Sequence, residues 1–353
     1  MVAFGGAGLV LAVAGVYRPS LAYALGGVCT GALVVLARPV LGARGRDDRA
    51  AHVVAAAGVV LVVAIGAWNV ANRSEHVLIN RDPGVYANAG RWLASNGDLR
   101  VTPAPRAVTE IEGLTQHSFG VYLADDGNLE LQFAHLLPVL LAEAHRVGGD
   151  SLMFAVPAIL GAAALLAFFV VLWRFTRVPW IALVGTAALG LTLPQVAFSR
   201  DTYSEIPTQL LAFTVVWLLL VPAAARSAPT MLVAGVVAGA LQMVRIDALI
   251  LLAGVPLAFA VFFVTAEPAA RRGIARGAAS FAAGASIGLA VGLVDLVLRS
   301  GDYYRDLSGE VRSLVVATVG AVVVAVAFAV AGPRIRLPRS LRGDLVGRAA
   351  AVW

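Results

Sequence analysis

The chain has 353 residues, of which 59% are hydrophobic and 14% charged, and its mean hydropathy is +0.84. Soluble domains carry about a quarter charged residues, so this composition excludes an ordinary soluble globular protein and predicts a polytopic membrane protein. The formal net charge is +6, and every basic residue is Arg. Because these arginines are scattered over short loops, they argue against a nucleic-acid partner. The single Cys29 excludes an internal disulfide framework.

Long apolar runs predict an all-α bundle of about ten transmembrane helices, since helices satisfy their own backbone polar groups in lipid. The first run lacks a basic region before it and is interpreted as a retained helix rather than a signal peptide. The runs cover residues 2–17, 21–37, 52–71, 151–173, 180–198, 206–221, 230–264, 278–298 and 313–331.

The run 230–264 is nearly twice as long as one transmembrane helix requires. Arg245 and Asp247 interrupt it near its middle, so we expect two short helices with a turn at 242–247. The two side chains lie two positions apart and would not face each other on a helix. Two interpretations of Arg245 stay open: an Arg that snorkels from a helix end, or an anchor for an anionic headgroup.

Arg residues in short loops predict the orientation, because such loops are mostly cytoplasmic. The 38–50 loop, the arginines after the fourth, sixth and seventh runs, and the basic tail fall on one side, which we assign to the cytoplasm. We expect three parts: N-terminal transmembrane helices at 1–71, an extracytoplasmic loop at 72–150, and a transmembrane region with short loops at 151–353. The polar segments 199–205, 245–247 and 299–312 then share the extracytoplasmic side with the long loop.

The long loop opens with Asp82 and Pro83, followed by an amphipathic helical pattern. Val85, Ala89, Trp92 and Leu93 recur at helical spacing and form an apolar face suited to a membrane surface. Asp is a good N-cap and Pro is favoured at the first helical position. Asp82 therefore has two interpretations, a simple helix cap or a functional carboxylate held at the bilayer edge.

The polar run 199–205 is the second candidate site. Thr202 and Glu205 have the spacing of a capping box, which would make them the start of a helix. That interpretation does not explain Arg200 or Asp201, since charges beside hydrocarbon are costly and mark functional surfaces.

Four histidines lie in the long loop without the spacing of a metal-ligand pair, and we expect surface or headgroup contacts for them. The run 125–128, Asp-Asp-Gly-Asn, is typical of a turn. The histidines are His76, His117, His135 and His145.

These features together resemble the GT-C superfamily of integral-membrane glycosyltransferases. The pattern Asp82-x-x-x-Tyr86 is similar to the first-loop motif of the protein O-mannosyltransferase and aminoarabinose-transferase type. The run 199–205 resembles the second carboxylate-containing loop, and Arg245-x-Asp247 resembles a later polar turn. The resemblance covers residues 52–265. The chain departs from it in having two helices before the first-loop helix, a single Asp followed by Pro, and no evident soluble C-terminal domain.

The resemblance implies transfer of a sugar from a polyprenyl-phosphate donor, on the extracytoplasmic face of a bacterial plasma membrane, to a glycan, lipid or protein acceptor. It implies a general base at Asp82, and a divalent ion, Mg or Mn, held by Asp201 and Glu205 is left open. Two alternatives also stay open: a transporter or flippase of a lipid-linked glycan, and a non-catalytic membrane scaffold. Donor-phosphate or acceptor binding falls to Arg81, Tyr86, Arg200, Arg245 and Asp247.

Overall fold

The computed structural model describes residues 1–36, 49–102, 119–123, 127–220 and 227–331. Its helices are α1 (Val2–Val13), α2 (Pro19–Leu36), α3 (Arg49–Ala71), α4 (Asp82–Asn96), α5 (Leu136–Thr176), α6 (Pro179–Gly190), α7 (Leu193–Arg200), α8 (Glu205–Leu219), α9 (Ala228–Gly239), α10 (Leu249–Thr265), α11 (Pro268–Arg299), α12 (Gly301–Asp306) and α13 (Ser308–Ala331). Two 3-10 helices, Ala240–Met243 and Ile246–Ala248, and an antiparallel hairpin of β1 (Val121–Leu123) and β2 (Leu129–Leu131) complete the described elements.

The described chain is a helical membrane protein. Within the described ranges, six helical segments are long and apolar enough to cross a bilayer, and α6 with α7, bent by 65°, would make a seventh. α1, α8 and the segment Ala228–Met243 are apolar but shorter. Together these elements match the predicted apolar runs, whereas the prediction of about ten full crossings stays a prediction.

The run 230–264 is broken where a turn was predicted. α9 ends at Gly239, the two 3-10 helices follow, and α10 begins at Leu249. Between the 3-10 helices, Arg245 is extended, with φ −150° and ψ 137°. The interruption therefore presents Arg245 and Asp247 from an irregular backbone rather than from a continuous helix.

α9 and α11 pack at backbone distance. A Cβ placed on Gly235 would lie 2.0 Å from the carbonyl oxygen of Phe281, and one on Gly284 would lie 2.2 Å from that of Leu232. Small residues at four-residue spacing allow membrane helices to approach in this way. The contact fixes the position of α11, whose C-terminal end reaches the candidate site described below.

α5 begins earlier than predicted. The sequence pattern predicted a span from residue 151, but the helix starts at Leu136 and is interrupted only at Gly148 and Gly149, where Gly149 has φ 62°. Its first part is helical because Leu137 and Leu141 supply buried apolar residues that pack against α4.

α4 forms as predicted, but its apolar face contacts protein. Val85 and Ala89 are buried against Val121 and Leu131 of the hairpin, and Leu93 belongs to the main core of the helices. The expectation that this face lies on a membrane surface is therefore wrong, because the hairpin and α5 already cover it.

Candidate functional site

Asp82 is the first residue of α4, and its carboxylate is not used as a cap. The N-cap position belongs to Arg81, whose backbone is extended and whose side chain makes no capping hydrogen bond. Pro83 follows within the first turn. Asp82 is half-buried and forms no hydrogen bond or ion pair with another residue of the described ranges. Its carboxylate is thus available to a ligand.

The start of α4 is held rigidly from outside. Thr202 donates its hydroxyl proton to the carbonyl oxygen of Pro83 at 2.7 Å, and Asn88 donates to the carbonyl oxygens of Val77 and Gly84, each at 2.7 Å. A Cβ on Gly84 would lie 1.8 Å from the carbonyl oxygen of Leu78, so the loop before α4 crosses it at a distance only glycine permits. These contacts fix the position of Asp82.

Thr202 and Glu205 do not form the predicted capping box. α8 begins at Glu205 with Ser204 as N-cap, and Ser204 makes no side-chain capping bond. Thr202 is fully buried because its hydroxyl serves α4 instead. Through this hydrogen bond, the polar run 199–205 contacts the start of α4 in the long loop.

Asp82 faces a cavity of about 260 Å³ built from five separate parts of the chain. These are the start of α4, the segment before α5, the segment before α8, the turn between α9 and α10, and the segment from α12 into α13. The lining residues are Asp82, Tyr86, Phe133, Ala134, Ser204, Val244, Arg245, Ile246, Asp247, Tyr303, Leu307, Glu310 and Leu314. Three sequence segments predicted to carry site residues thus meet around one space.

An aromatic wall formed by Tyr86, Phe133 and Tyr303 bounds one side of the cavity. Tyr86 stacks on Phe133 with ring centroids 5.0 Å apart, and Phe133 meets Tyr303 edge-on at 5.5 Å. Phe133 has φ 87°, a strained conformation for a bulky residue. Ser300 donates a hydrogen bond of 2.8 Å to the carbonyl oxygen of Phe133. Tertiary contacts therefore hold this ring in place.

Both tyrosines of the wall are protonated at neutral pH. Burial raises the pKa of the Tyr86 hydroxyl well above its ordinary value, and it raises the pKa of Tyr303 to about 12. Both hydroxyls are therefore neutral, and that of Tyr86 is hydrogen-bonded to the side chain of Ser204.

Arg245 is already paired with carboxylates. Its guanidinium donates to Asp247 at 2.9 and 3.0 Å, to Glu205 at 2.7 Å, and to the hydroxyl of Ser204 at 3.1 Å. The hydrogen bond to Asp247 raises the pKa of Arg245. Since two carboxylates balance one guanidinium, Arg245 is not a free anchor for an anionic headgroup, although the turn does bring it into the site.

The remaining predicted site residues lie outside the cavity lining. Arg200 donates to the side-chain oxygen of Asn69 at 3.0 Å and lies 4.2 Å from the Trp68 ring centroid. Asp201 accepts from the backbone N–H of Thr202. Arg81 is exposed at the start of α4. The structure thus brings together Asp82, Tyr86, Arg245 and Asp247, with Glu205 beside them, but not Arg81, Arg200 or Asp201.

Asp201 and Glu205 have different side-chain partners. Asp201 lies 3.4 Å from Nδ1 of His76, whereas Glu205 bonds to Arg245. Within the described ranges, no group of three or more His, Cys, Asp or Glu side chains is arranged to hold a metal ion. The metal site at Asp201 and Glu205 stays a prediction, and we assign no reaction step to a metal.

His135 corrects the expectation of surface histidines. His135 is buried and contacts Asp295 of α11, which is also fully buried. The Asp295 carboxylate accepts a hydrogen bond from the backbone N–H of His135 at 3.0 Å and pairs with Nδ1 of the His135 ring at 2.8 Å. His76 lies beside Asp201 and His145 beside Asp150, while His117 and the predicted turn residues 125 and 126 lie outside the described ranges.

Asp295 was missed, although a carboxylate inside an apolar run is a signal the sequence contained. Phe133 and Tyr303 were missed as well, because only tertiary folding brings their rings to Tyr86.

Comparison of the chain with protein-family models, curated proteins and solved structures found no match.

Proposed function

We propose that this protein is a membrane glycosyltransferase of the GT-C kind, which moves a sugar from a polyprenyl-phosphate donor to an acceptor on the extracytoplasmic face. One observation carries the proposal: the carboxylate of Asp82, unpaired among the described residues, stands in a cavity between polar segments that follow apolar helices. A general base must lie within reach of the proton it abstracts and must not be engaged elsewhere. Asp82 meets the second condition among the described residues.

In the proposed reaction, Asp82 accepts the proton of the acceptor hydroxyl or amine while that atom attacks the anomeric carbon. The bond between the anomeric carbon and the phosphate oxygen breaks, and the polyprenyl phosphate departs with the bonding electrons. A positioned base contributes about 10²- to 10⁴-fold to such a step. The neutral hydroxyls of Tyr86 and Tyr303 donate to the departing phosphate, because the charge of Arg245 is already balanced.

The prenyl chain has an apolar path beside the same cavity. Val244, Ile246, Leu307 and Leu314 line its other side. α10 and α13, which continue from these residues, are both candidate membrane spans. The donor headgroup would therefore enter the cavity while its chain stays in the hydrocarbon region.

The test is release of polyprenyl phosphate from a panel of radiolabelled polyprenyl-phosphate sugars by wild-type protein, Asp82→Asn and Asp98→Asn. Asp98 is a matched control, since it lies two residues beyond the far end of α4 and contacts Arg299. We expect Asp82→Asn to lower turnover about 10²- to 10⁴-fold and Asp98→Asn to leave it close to wild type.

Equal turnover by wild type and Asp82→Asn would contradict the assignment of the base. If folded wild-type protein releases no polyprenyl phosphate from any donor, the result would favour a transporter of a lipid-linked glycan or a non-catalytic membrane scaffold instead.

A further inference from the structure

Arg200 is a half-buried cation whose side-chain partners within the described ranges are both uncharged. Its Nε donates to the side-chain oxygen of Asn69 at 3.0 Å, and its guanidinium carbon lies 4.2 Å from the centroid of the Trp68 ring. The adjacent carboxylate, that of Asp201, lies beside His76 instead. Nη2 of Arg200 is buried without a hydrogen-bond partner among the described residues. An anionic ligand would remove both costs, since an unpaired charge and an unsatisfied N–H are each unfavourable.

The neighbouring Arg73 provides a contrast. The backbone N–H of Ser74 donates to the carbonyl oxygen of Arg200 at 2.7 Å, so the two arginines lie on adjacent backbone segments. Arg73, however, lies 3.6 Å from the carboxylate of Glu75 and donates to the hydroxyl of Ser151 at 3.1 Å. The charge of Arg73 is thus balanced within the protein, whereas no residue that the structure describes balances that of Arg200.

The surroundings of Arg200 are those of a bilayer edge. Trp68 lies in the last turn of α3, a candidate membrane span, and is 45% exposed. Arg200 is the last residue of α7, which is bent by 65° from α6. Leu193 lies seven positions earlier, on the same face of α7, and is 80% exposed. Because Trp side chains concentrate at the level of lipid headgroups, a bilayer would place headgroups beside Arg200 and apolar chains against Leu193.

Phosphate is the anion that fits this position. The guanidinium of Arg forms paired, charge-assisted hydrogen bonds with phosphate oxygens. The contacts with Trp68 and Asn69 hold the guanidinium before a ligand arrives, which lowers the entropic cost of binding. We propose that Arg200 binds the phosphate group of a phospholipid from the surrounding bilayer. Arg200 lies outside the lining of the Asp82 cavity, so phospholipid binding does not depend on the proposed sugar transfer.

The test is lipid binding to the full-length protein in detergent, measured by native mass spectrometry. The probes are phosphatidylglycerol, a diacylglycerol with the same acyl chains, inorganic phosphate and undecaprenyl phosphate. We expect phosphatidylglycerol to bind about tenfold more tightly than the diacylglycerol, because only the phospholipid forms charge-assisted hydrogen bonds with Arg200. We also expect phosphatidylglycerol to bind more tightly than inorganic phosphate, because its acyl chains add apolar contact.

Three variants locate the phosphate group. Arg200→Gln should lower the affinity for phosphatidylglycerol about tenfold by removing the charge, and Trp68→Leu should lower it about threefold by removing the ring that holds the guanidinium. Arg312→Gln is the matched control and should leave the affinity close to wild type. Arg312 is exposed at the start of α13, another candidate span, and has no side-chain hydrogen bond or ring contact among the described residues. Unchanged melting temperatures without lipid show that the variants are folded, and if Arg200→Gln unfolds, Trp68→Leu decides.

Equal affinity for phosphatidylglycerol in wild type, Arg200→Gln and Trp68→Leu would overturn the proposal, and so would equal affinity for phosphatidylglycerol and the diacylglycerol. Inorganic phosphate that binds as tightly as the phospholipid would identify a soluble anion as the ligand instead. If Arg200→Gln weakens undecaprenyl phosphate binding more than phosphatidylglycerol binding, the site belongs to the donor of the proposed reaction and the proposal is wrong. An equal loss in Arg312→Gln would show that any arginine at the membrane edge suffices, which contradicts a specific site.

Discussion

At the scale of single residues, the buried pair of His135 and Asp295 helps to position the aromatic wall of the site. Asp295 enters an apolar helix, and both of its carboxylate oxygens are satisfied by His135. Since His135 is two residues from Phe133, the same contact holds the segment whose ring stacks on Tyr86. Ser300, one turn further along the chain from Asp295, secures that segment from its other side.

His135→Ala should therefore be strongly destabilising, because it leaves a buried carboxylate without a partner. Removing one member of a buried pair typically costs about 3–5 kcal/mol. His76→Ala, at a partly exposed pair with Asp201, should cost about 0–1 kcal/mol. Chemical denaturation in mild detergent measures the free energy of unfolding of both variants.

The double variant His135→Leu with Asp295→Leu should recover much of the loss, since an apolar pair needs no counter-charge. A loss for His135→Ala no larger than that for His76→Ala would show that the buried contact is not required for stability.

At the scale of elements, the sequence predicted the helices and turns that follow from local hydrophobic periodicity. The apolar runs, the turn at 242–247 and the helix that begins at Asp82 all follow from local pattern. The hairpin over α4 and the early start of α5 do not follow from local pattern. An amphipathic pattern shows that one face of a helix is covered, but it does not show which element covers that face. The site shows the same limit of sequence-based prediction. Asp82 and Asp247 could be predicted because they are charged residues beside apolar runs. Phe133 could not, because its ring is positioned by a positive φ that tertiary contacts maintain.

Gly284→Ala should separate α9 from α11, because the added methyl carbon would lie 2.2 Å from the carbonyl oxygen of Leu232. Overpacking of this kind typically costs about 1–3 kcal/mol, measured as a drop in melting temperature. Because α11 carries Asp295 and is followed by Ser300, we also expect slower release of polyprenyl phosphate.

Gly273→Ala is the matched control on the same helix, where a Cβ meets nothing within 4 Å. It should be neutral or slightly stabilising, since Ala is the better helix former. Equal melting temperatures for Gly284→Ala and Gly273→Ala would rule out the close helix contact.

At the scale of the whole molecule, the segments predicted to share one face of the membrane are in contact with one another. The backbone N–H of Ser74 donates to the carbonyl oxygen of Arg200 at 2.7 Å, and Ser300 donates to Phe133. Arg245 pairs with Glu205 across the same region. Because these segments follow different apolar helices, their contacts require the helix ends that precede them to lie at one level.

The side on which this face lies is a prediction from the arginine distribution, and labelling of single cysteines tests it. In a Cys29→Ser background, Ser95→Cys on α4 and Arg272→Cys on α11 both place a thiol at an exposed position. A membrane-impermeant maleimide should label Ser95→Cys in intact cells and Arg272→Cys only after permeabilisation, because short Arg-rich loops stay in the cytoplasm. The reverse pattern would place the Asp82 cavity on the cytoplasmic side, and the donor would then have to be a lipid-linked sugar presented in that leaflet.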